Sequence, residues 1–372
     1  MKISDFPAPH IPSKLPLTRV INQLQQDKDF LTLCFTASAK LYEFIGYLQN
    51  LPNPSILVSA LTLQESVLSS KIEGTIATVD DVVHGTGEAA SEIIRNDIVE
   101  IENYVQALRY GKEDLPDRGF MLSRNFICTL HAILLTNNVR GSQKTPGQFK
   151  TEQNFIKNDL LGNSTPLPPY LTEEYIDNLT NYANHNEEFS PLLQAAILHA
   201  QFEMIHPFKD GNGRVGRLLI PLFLFMKKAL PFPMFYISHY FAENDLSYKK
   251  CLFDISNAAS FEEEWSAWKN WFSFFMKGVQ QESSLHIETS KRIIALHDEM
   301  THLLKRTDQY VIINYLFDHL HLEPASFIKN SPLPRTAVYS TLHTLEDAGY
   351  IVRTGSIRKS RYIFMRILDV IK

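Results

Sequence analysis

Apolar residues recur at helical spacing along almost the whole chain, and that periodicity narrows the folds open to it more than any other feature. Helices are expected over Leu17–Gln26, Phe30–Leu51, Ser55–Ile72, Ala89–Tyr110, Ser123–Leu135, Glu173–His185, Pro191–His206, Val215–Lys228, Leu246–Ala258 and Glu262–Ala295. Strand-like runs occur only near Gln153–Ile156 and in the last few dozen residues, so the expected class is mainly α. A chain of 372 residues with 44% hydrophobic and 21% charged residues has an ordinary globular balance and exceeds the length over which one core usually keeps growing. Beyond Lys277 the last long helix turns rich in Glu, Lys and Ser, which reads as a spacer between cores, with a boundary near Leu296.

Charge and cysteine usage exclude several classes. A net charge of −5 gives no whole-molecule reason to bind nucleic acid, so any such surface must be local. Cys34, Cys128 and Cys251 are far apart and flanked by apolar residues, which fits neither a disulfide framework nor a zinc site. Met1–Pro16 carries prolines and charges where a secretory leader needs an apolar run, and Leu218–Met226 is too short to span a bilayer. The expectation is a cytoplasmic protein with no membrane partner.

Chemistry concentrates between His206 and Arg217. Pro207 has no N–H to continue the helix ending at His206, and it biases the preceding residue away from helical angles. Asp210-Gly211-Asn212-Gly213 tolerates positive φ and is followed at once by a helical run, so a tight turn opens a second helix. Such a turn aims backbone N–H groups at one point, beside the partial positive charge of the helix N-terminus. Arg214 and Arg217 lie three residues apart on the first turns, where two guanidinium groups can grip neighbouring phosphates. One short segment therefore supplies a base, a carboxylate, an anion-binding turn and two cations.

These residues, His206-Pro207-Phe208-Lys209-Asp210-Gly211-Asn212-Gly213-Arg214-Val215-Gly216-Arg217, match the motif of the Fic family, His-x-Phe-x-Asp/Glu-Gly-Asn-Gly-Arg-x-x-Arg, at every defined position. The resemblance implies a Fic-type helical core over residues 89–295 and transfer of AMP from ATP to a Tyr, Thr or Ser hydroxyl of a target protein or of the chain itself. It implies His206 as general base and Asp210 as the ligand of Mg2+. Gly211, Asn212 and Gly213 would meet the α and β phosphates, with the Asn212 amide among the donors. Arg214 and Arg217 would hold the β and γ groups, and Phe208 would pack beneath the turn. The nucleotide contacts extend to Val215 and Gly216, and Tyr248 resembles a position at the adenine end. Homodimerisation follows from family habit alone. Some relatives remove AMP or move other phosphate groups, which stays open as an alternative chemistry.

Two other patterns overlap the motif. Gly211-x-Gly213-x-x-Gly216 matches a dinucleotide fingerprint, but the preceding segment is helical where that fingerprint needs a strand. His199, Glu203 and His206 share a helical face and can be read as metal ligands, or as core groups bracing the turn, which is the favoured reading.

Upstream, Ser69-Ser70-Lys71-Ile72-Glu73-Gly74 resembles the family's inhibitory pattern Ser/Thr-x-x-x-Glu-Gly/Asn, within an N-terminal helical region of residues 1–88. Ser69 and Glu73 share a face, Gly74 is a natural helix stop, and the resemblance pairs Glu73 with Arg217. Thr151–Ile156 and the turn-rich run to Pro169 resemble the family's β-hairpin flap, which aligns a target segment by main-chain pairing. Residues 296–372 resemble a winged helix-turn-helix, with helices at 309–320, 324–329 and 335–348 and strands at 350–352 and 361–365. Arg335, Arg353, Arg358, Lys359 and Arg361 make this part locally basic, so DNA is its candidate partner and a DNA-binding regulator the rival functional class.

Overall fold

The computed structural model describes residues 6–371 apart from positions 52, 85–90, 118, 138, 188 and 356–359. The expected boundary at 88/89 and the basic residues Arg358 and Lys359 lie outside the described residues. The first half contains α1 (Thr18–Leu24), α2 (Lys28–Gln49), α3 (Ser55–Ile72), α4 (Val79–His84), α5 (Glu92–Asp117), α6 (Arg124–Leu134) and α7 (Thr172–His185). The second half contains α8 (Pro191–Ile205), α9 (Asn212–Met226), α10 (Ser238–Glu243), α11 (Asp245–Ser256) and α12 (Phe261–Leu303). The chain closes with α13 (Tyr310–His319), β1 (His321–Leu322), α14 (Pro324–Asn330), α15 (Arg335–Asp347), β2 (Val352–Thr354), β3 (Arg361–Ile363) and α16 (Met365–Ile371). The class is mainly α, with one small antiparallel sheet ordered β1-β3-β2.

The helix starts follow from local chemistry. Ser123, Ser190 and Ser260 each accept a hydrogen bond from a backbone N–H in the first turn of α6, α8 and α12, and Pro191 sits where its missing N–H costs nothing. Gly74, at φ 97°, ends the turn that follows α3 as expected. The helices not foreseen, α4, α10 and α16, have only 6, 6 and 7 residues, too short to show a period in sequence.

α8 and α9 pack together at the centre, covered by α5, α6, α7, α11 and α3. Both are apolar nearly all round, as helices without a solvent face must be. Each wholly buried Leu, Ile or Phe on this pair contributes about 1.5–3 kcal/mol by leaving water.

One expectation needs correction. The Glu-, Lys- and Ser-rich part of α12 is no solvated spacer: the helix runs unbroken past position 296 to Leu303 and buries Val279, Glu282, Ser283, His286, Ile293 and Met300. Two of its buried polar residues have partners from other elements. Glu282 meets Nδ1 of His239 at 3.0 Å, and His286 accepts the Tyr236 N–H at 3.1 Å. α12 packs on α2 and on α13, α15 and α16, so it is the spine shared by both ends of the chain. α3 touches α13 and α16, and Ser59 donates to the Asp318 carbonyl at 2.7 Å.

Candidate active site

The turn between α8 and α9 is held in an unusual backbone shape. His206 has φ 49° and ψ 60°, and Gly211 has φ 76°. A left-handed residue other than Gly costs about 1–2 kcal/mol, so the surroundings must hold His206 there. Much of that hold comes from beneath. Phe208 is fully buried and stacks on His131 with ring centres 3.7 Å apart and planes 7° from parallel. His131 accepts the Gly147 N–H at Nδ1, which fixes the proton on Nε2, and that nitrogen donates to the Asp210 carbonyl at 2.9 Å. Burial pushes the His131 pKa down to about 4, so the ring stays neutral as this pairing requires.

The Asn212 side chain closes the turn. Its amide oxygen accepts the Phe208 N–H at 2.8 Å, and its amide nitrogen donates to the Phe208 carbonyl at 2.7 Å. Both ends of the amide expected to face phosphate are thus committed to closing the loop. The anion-binding groups are main-chain instead. Val215 makes the first intrahelical bond of α9, to the Gly211 carbonyl, which leaves the N–H groups of Asn212, Gly213 and Arg214 without an intrahelical acceptor. Val215 itself is fully buried in the core.

Glycine is required at two points of this helix by close approach. A Cβ at Gly213 would lie 2.2 Å from Glu73 Oε1, and one at Gly216 would lie 2.2 Å from Glu203 Oε1. The carboxylate of Glu73 therefore rests directly on the α9 N-terminus, where an anion belongs. It also meets Arg217 Nη2 at 2.7 Å, while Arg217 donates through Nε to Ser69 Oγ at 2.8 Å and through Nη2 to the Ser69 carbonyl at 2.9 Å. Burial alone would raise the Glu73 pKa, but Arg217, with Arg214 and Arg140 beyond, brings it below the ordinary value. The end of α3 is pinned again by Arg140, which donates to the Glu73 carbonyl at 2.8 Å.

Arg214 is oriented by a partner that sequence spacing did not reveal. Its Nη1 meets Glu100 Oε2 at 3.0 Å with both side chains almost fully buried, and its Nη2 lies 3.8 Å from Asp210 Oδ1. One turn behind Ser69, Glu65 accepts from the hydroxyls of Tyr104 at 2.9 Å and Ser238 at 2.6 Å, anchoring α3 in the core.

His206 is the titratable group aimed at the remaining space. Its Nδ1 donates to the Glu203 carbonyl at 3.3 Å, since a carbonyl can only accept, and this leaves the Nε2 lone pair free to take a proton. Burial first, and the nearby Lys150 second, push its pKa down to about 4. The side chains of His199 and Glu203 have separate tasks. His199 Nε2 pairs with the Tyr248 hydroxyl at 2.9 Å, and the Glu203 carboxyl lies under Gly216, where burial pushes its pKa up to about 8.

A cavity of about 430 Å3 opens at this point, within the range of small-molecule sites. Glu73, Glu203, His206, Gly213, Arg217 and Tyr248 line it together with the loop at 155–164. Tyr248 is nearly all core, stacked on Phe241 at 4.3 Å, and shows the cavity only an edge. The expected hairpin is reduced to one antiparallel bridge, Ile156 with Ser164, because Asn158 winds the intervening chain by accepting the N–H groups of Leu160 and Leu161. Asp210 stands at the edge of the turn with one oxygen accepting the Gly211 N–H at 2.6 Å, and its side chain is 35% exposed. No group of three or more His, Cys, Asp or Glu able to hold a metal occurs among the described residues. A single open carboxylate suits Mg2+, which keeps several waters and takes its other oxygens from phosphates.

A helical bundle with a neutral imidazole and an anion-binding turn in one cavity defines a class of phosphate-handling proteins. Comparison with known proteins narrows it. The Fic/DOC family model matches residues 121–224, and the Fic/DOC family N-terminal model matches residues 31–113. The chain belongs to the Fic/DOC family. It is 26% identical over 165 residues to a probable protein adenylyltransferase of Aquifex aeolicus, covering 43% of this chain and 47% of that protein. It is 32% identical over 87 residues to the protein adenylyltransferase fic-1 of Caenorhabditis elegans, covering 23% of this chain and 16% of that protein. The chain thus spans less than half the length of either relative. A solved Fic family protein from Desulfovibrio desulfuricans shares the fold with a TM-score of 0.56 at 17% identity, covering 89% of this chain and 95% of that one. Among the described residues no helix is long and apolar enough to cross a membrane.

Proposed function

We propose that the chain is a protein adenylyltransferase that moves AMP from Mg-ATP to a Tyr, Thr or Ser hydroxyl of a target protein or of itself, restrained by Glu73. The observation that carries this reading is the Glu73 carboxylate lodged between Arg217 and the Gly213 backbone, in a cavity shared with His206. A carboxylate is a fair imitation of a phosphate oxygen pair, so its place marks where a phosphate binds. Two similar proteins named as adenylyltransferases support the same chemistry.

In this reading His206 Nε2 takes the proton of the target hydroxyl as that oxygen bonds to the α-phosphorus, and the bond from the α-phosphorus to the bridging oxygen breaks to release pyrophosphate. The free N–H groups at the α9 N-terminus and the Arg217 guanidinium receive phosphate oxygens, and Asn212 and His131 keep the turn in shape for them. Asp210 would hold Mg2+, whose charge offsets that developing on the phosphates. Lys150 acts on His206 as a nearby positive charge.

Incubating the Glu73→Gly protein with ATP labelled at the α or the γ phosphorus tests the proposal. Label on protein from α-labelled ATP alone is expected; label from the γ position would make the chain a kinase, and none from either would end the reading.

We further infer that residues 296–372 are a winged-helix unit. The order α13, β1, α14, α15, β2, β3 with sheet order β1-β3-β2 supports it, as do the exposed Arg335 and Arg353 on α15 and β2. Duplex DNA is the partner this surface fits, and a salt-sensitive mobility shift by the full chain is expected. No shift at low salt would remove DNA from its partners.

A further inference from the structure

The base of the loop at 155–164 is bonded to the His206 turn at every backbone carbonyl from Met204 to Phe208. Leu167 N–H donates to the Met204 carbonyl at 3.3 Å, and Lys150 Nζ donates to the Ile205 carbonyl at 3.0 Å. The Asn154 amide donates to the His206 carbonyl at 3.1 Å and to the Phe208 carbonyl at 3.0 Å, while the Lys150 N–H takes the Pro207 carbonyl at 2.8 Å. Gln153 closes the loop's own neck by donating to the Pro166 carbonyl at 2.9 Å. A helix C-terminus always leaves carbonyls without intrahelical donors, and here one loop supplies almost all of them.

Lys150 is the unexpected member. The residue is only 3% exposed, it has no carboxylate partner among the described residues, and Nζ is held by the Ile205 carbonyl and by Asn154 Oδ1 at 2.9 Å. An isolated buried ammonium is costly, and a neutral side chain would fill this space more cheaply. At the end of α8 the cation meets the helix's partial negative charge, and it stands beside the ring of His206.

We propose that Lys150, with Asn154, is a positioning residue for the reaction: it fixes His206 in its left-handed conformation and makes the target-facing loop and the base one rigid body. A hydroxyl carried by a segment lying on that loop is thereby set at a constant distance from Nε2. The inference rests on the adenylyltransferase reading for its purpose, though not for its physics. The groups facing His206 are Lys150 from the loop base, Glu203 from its own helix, Glu73 from α3 and Arg217 across the cavity. Burial lowers the Lys150 pKa to about 7, so its charge is present through the acid range in which His206 would titrate.

The decisive measurement is the titration of the His206 ring by NMR in the ligand-free full chain, with the signal assigned by its loss in His206→Gln. Lys150→Met should raise the midpoint by about one pH unit, because of the two causes holding it down, burial and this cation, the cation is gone. Lys150→Arg should leave it near the parent value. In the Glu73→Gly background, Lys150→Met should lower kcat by up to about a hundredfold, as a slightly misplaced base would, with KM for ATP nearly unchanged. The acid limb of its pH profile should move to higher pH, and Lys150→Arg should restore most of kcat. An unmoved His206 midpoint in a folded Lys150→Met protein overturns the proposal, as does a kcat equal to that of its parent. Should the Glu73→Gly parent transfer no AMP, the functional reading falls while the ring titration still decides this one.

Discussion

Glu73→Gly should raise transfer of α-labelled AMP, onto the chain itself or onto a target, by about tenfold or more, each factor of ten corresponding to about 1.4 kcal/mol. The structure gives the cause. Glu73 occupies both elements that the proposed reading assigns to a terminal phosphate, the Arg217 guanidinium at 2.7 Å and the open backbone at Gly213. Two anions cannot share that fork, so in the proposed reading nucleotide would bind only when α3 withdraws its carboxylate or the phosphates accept a displaced position. The gain should be graded. Glu73→Gln keeps the shape and loses the charge, and its rate should lie between wild type and Glu73→Gly. Ser69→Ala frees only Arg217 Nε and should release less still. Equal rates for wild type and Glu73→Gly, with ATP in excess, would mean that the end of α3 does not compete with nucleotide.

His206→Ala in the Glu73→Gly background should cut transfer by about 10²–10⁴, the usual contribution of a positioned general base. ATP affinity should stay close to that of its parent. The imidazole takes no part in the anion-binding turn, whose contacts come from backbone N–H groups and Arg217. The pH profile of the parent carries the same logic with a fixed sign. The reactive form of His206 is the neutral ring, and burial with Lys150 lowers its pKa to about 4 from the ordinary 6.5. Activity should therefore persist as pH falls below 6.5 and fail only nearer the lowered value. A rate limb at pH 6.5 in the free enzyme would show that the ring is hydrated and uncoupled from Lys150 when catalysis begins.

Much of the site was legible because its signals are local. Pro207 after His206, the run Asp210-Gly211-Asn212-Gly213 and the helical residues after it specify a helix, a left-handed turn and a second helix within a dozen positions. Gly74 as a stop, and Ser69 and Glu73 on one face of α3, follow from the same short-range rules, and α3 spans the expected Ser55–Ile72. The motif did not show two local contacts: the Asn212 amide closes on Phe208, four residues back, and the Val215 side chain turns into the core.

Sequence alone determined the helical class and the place and shape of the turn, since propensity, periodicity and capping are written over a few consecutive residues. Tertiary structure alone decided who holds those residues. Glu100 lies 114 positions from Arg214, His131 lies 79 from Asp210, and Lys150 lies 55 from the Ile205 carbonyl it caps. A buried polar atom must find a partner wherever packing offers one, and no spacing rule along the chain names that partner. The same cause placed Glu282 and His286 of α12 inward, where they meet groups that only the folded chain brings to them.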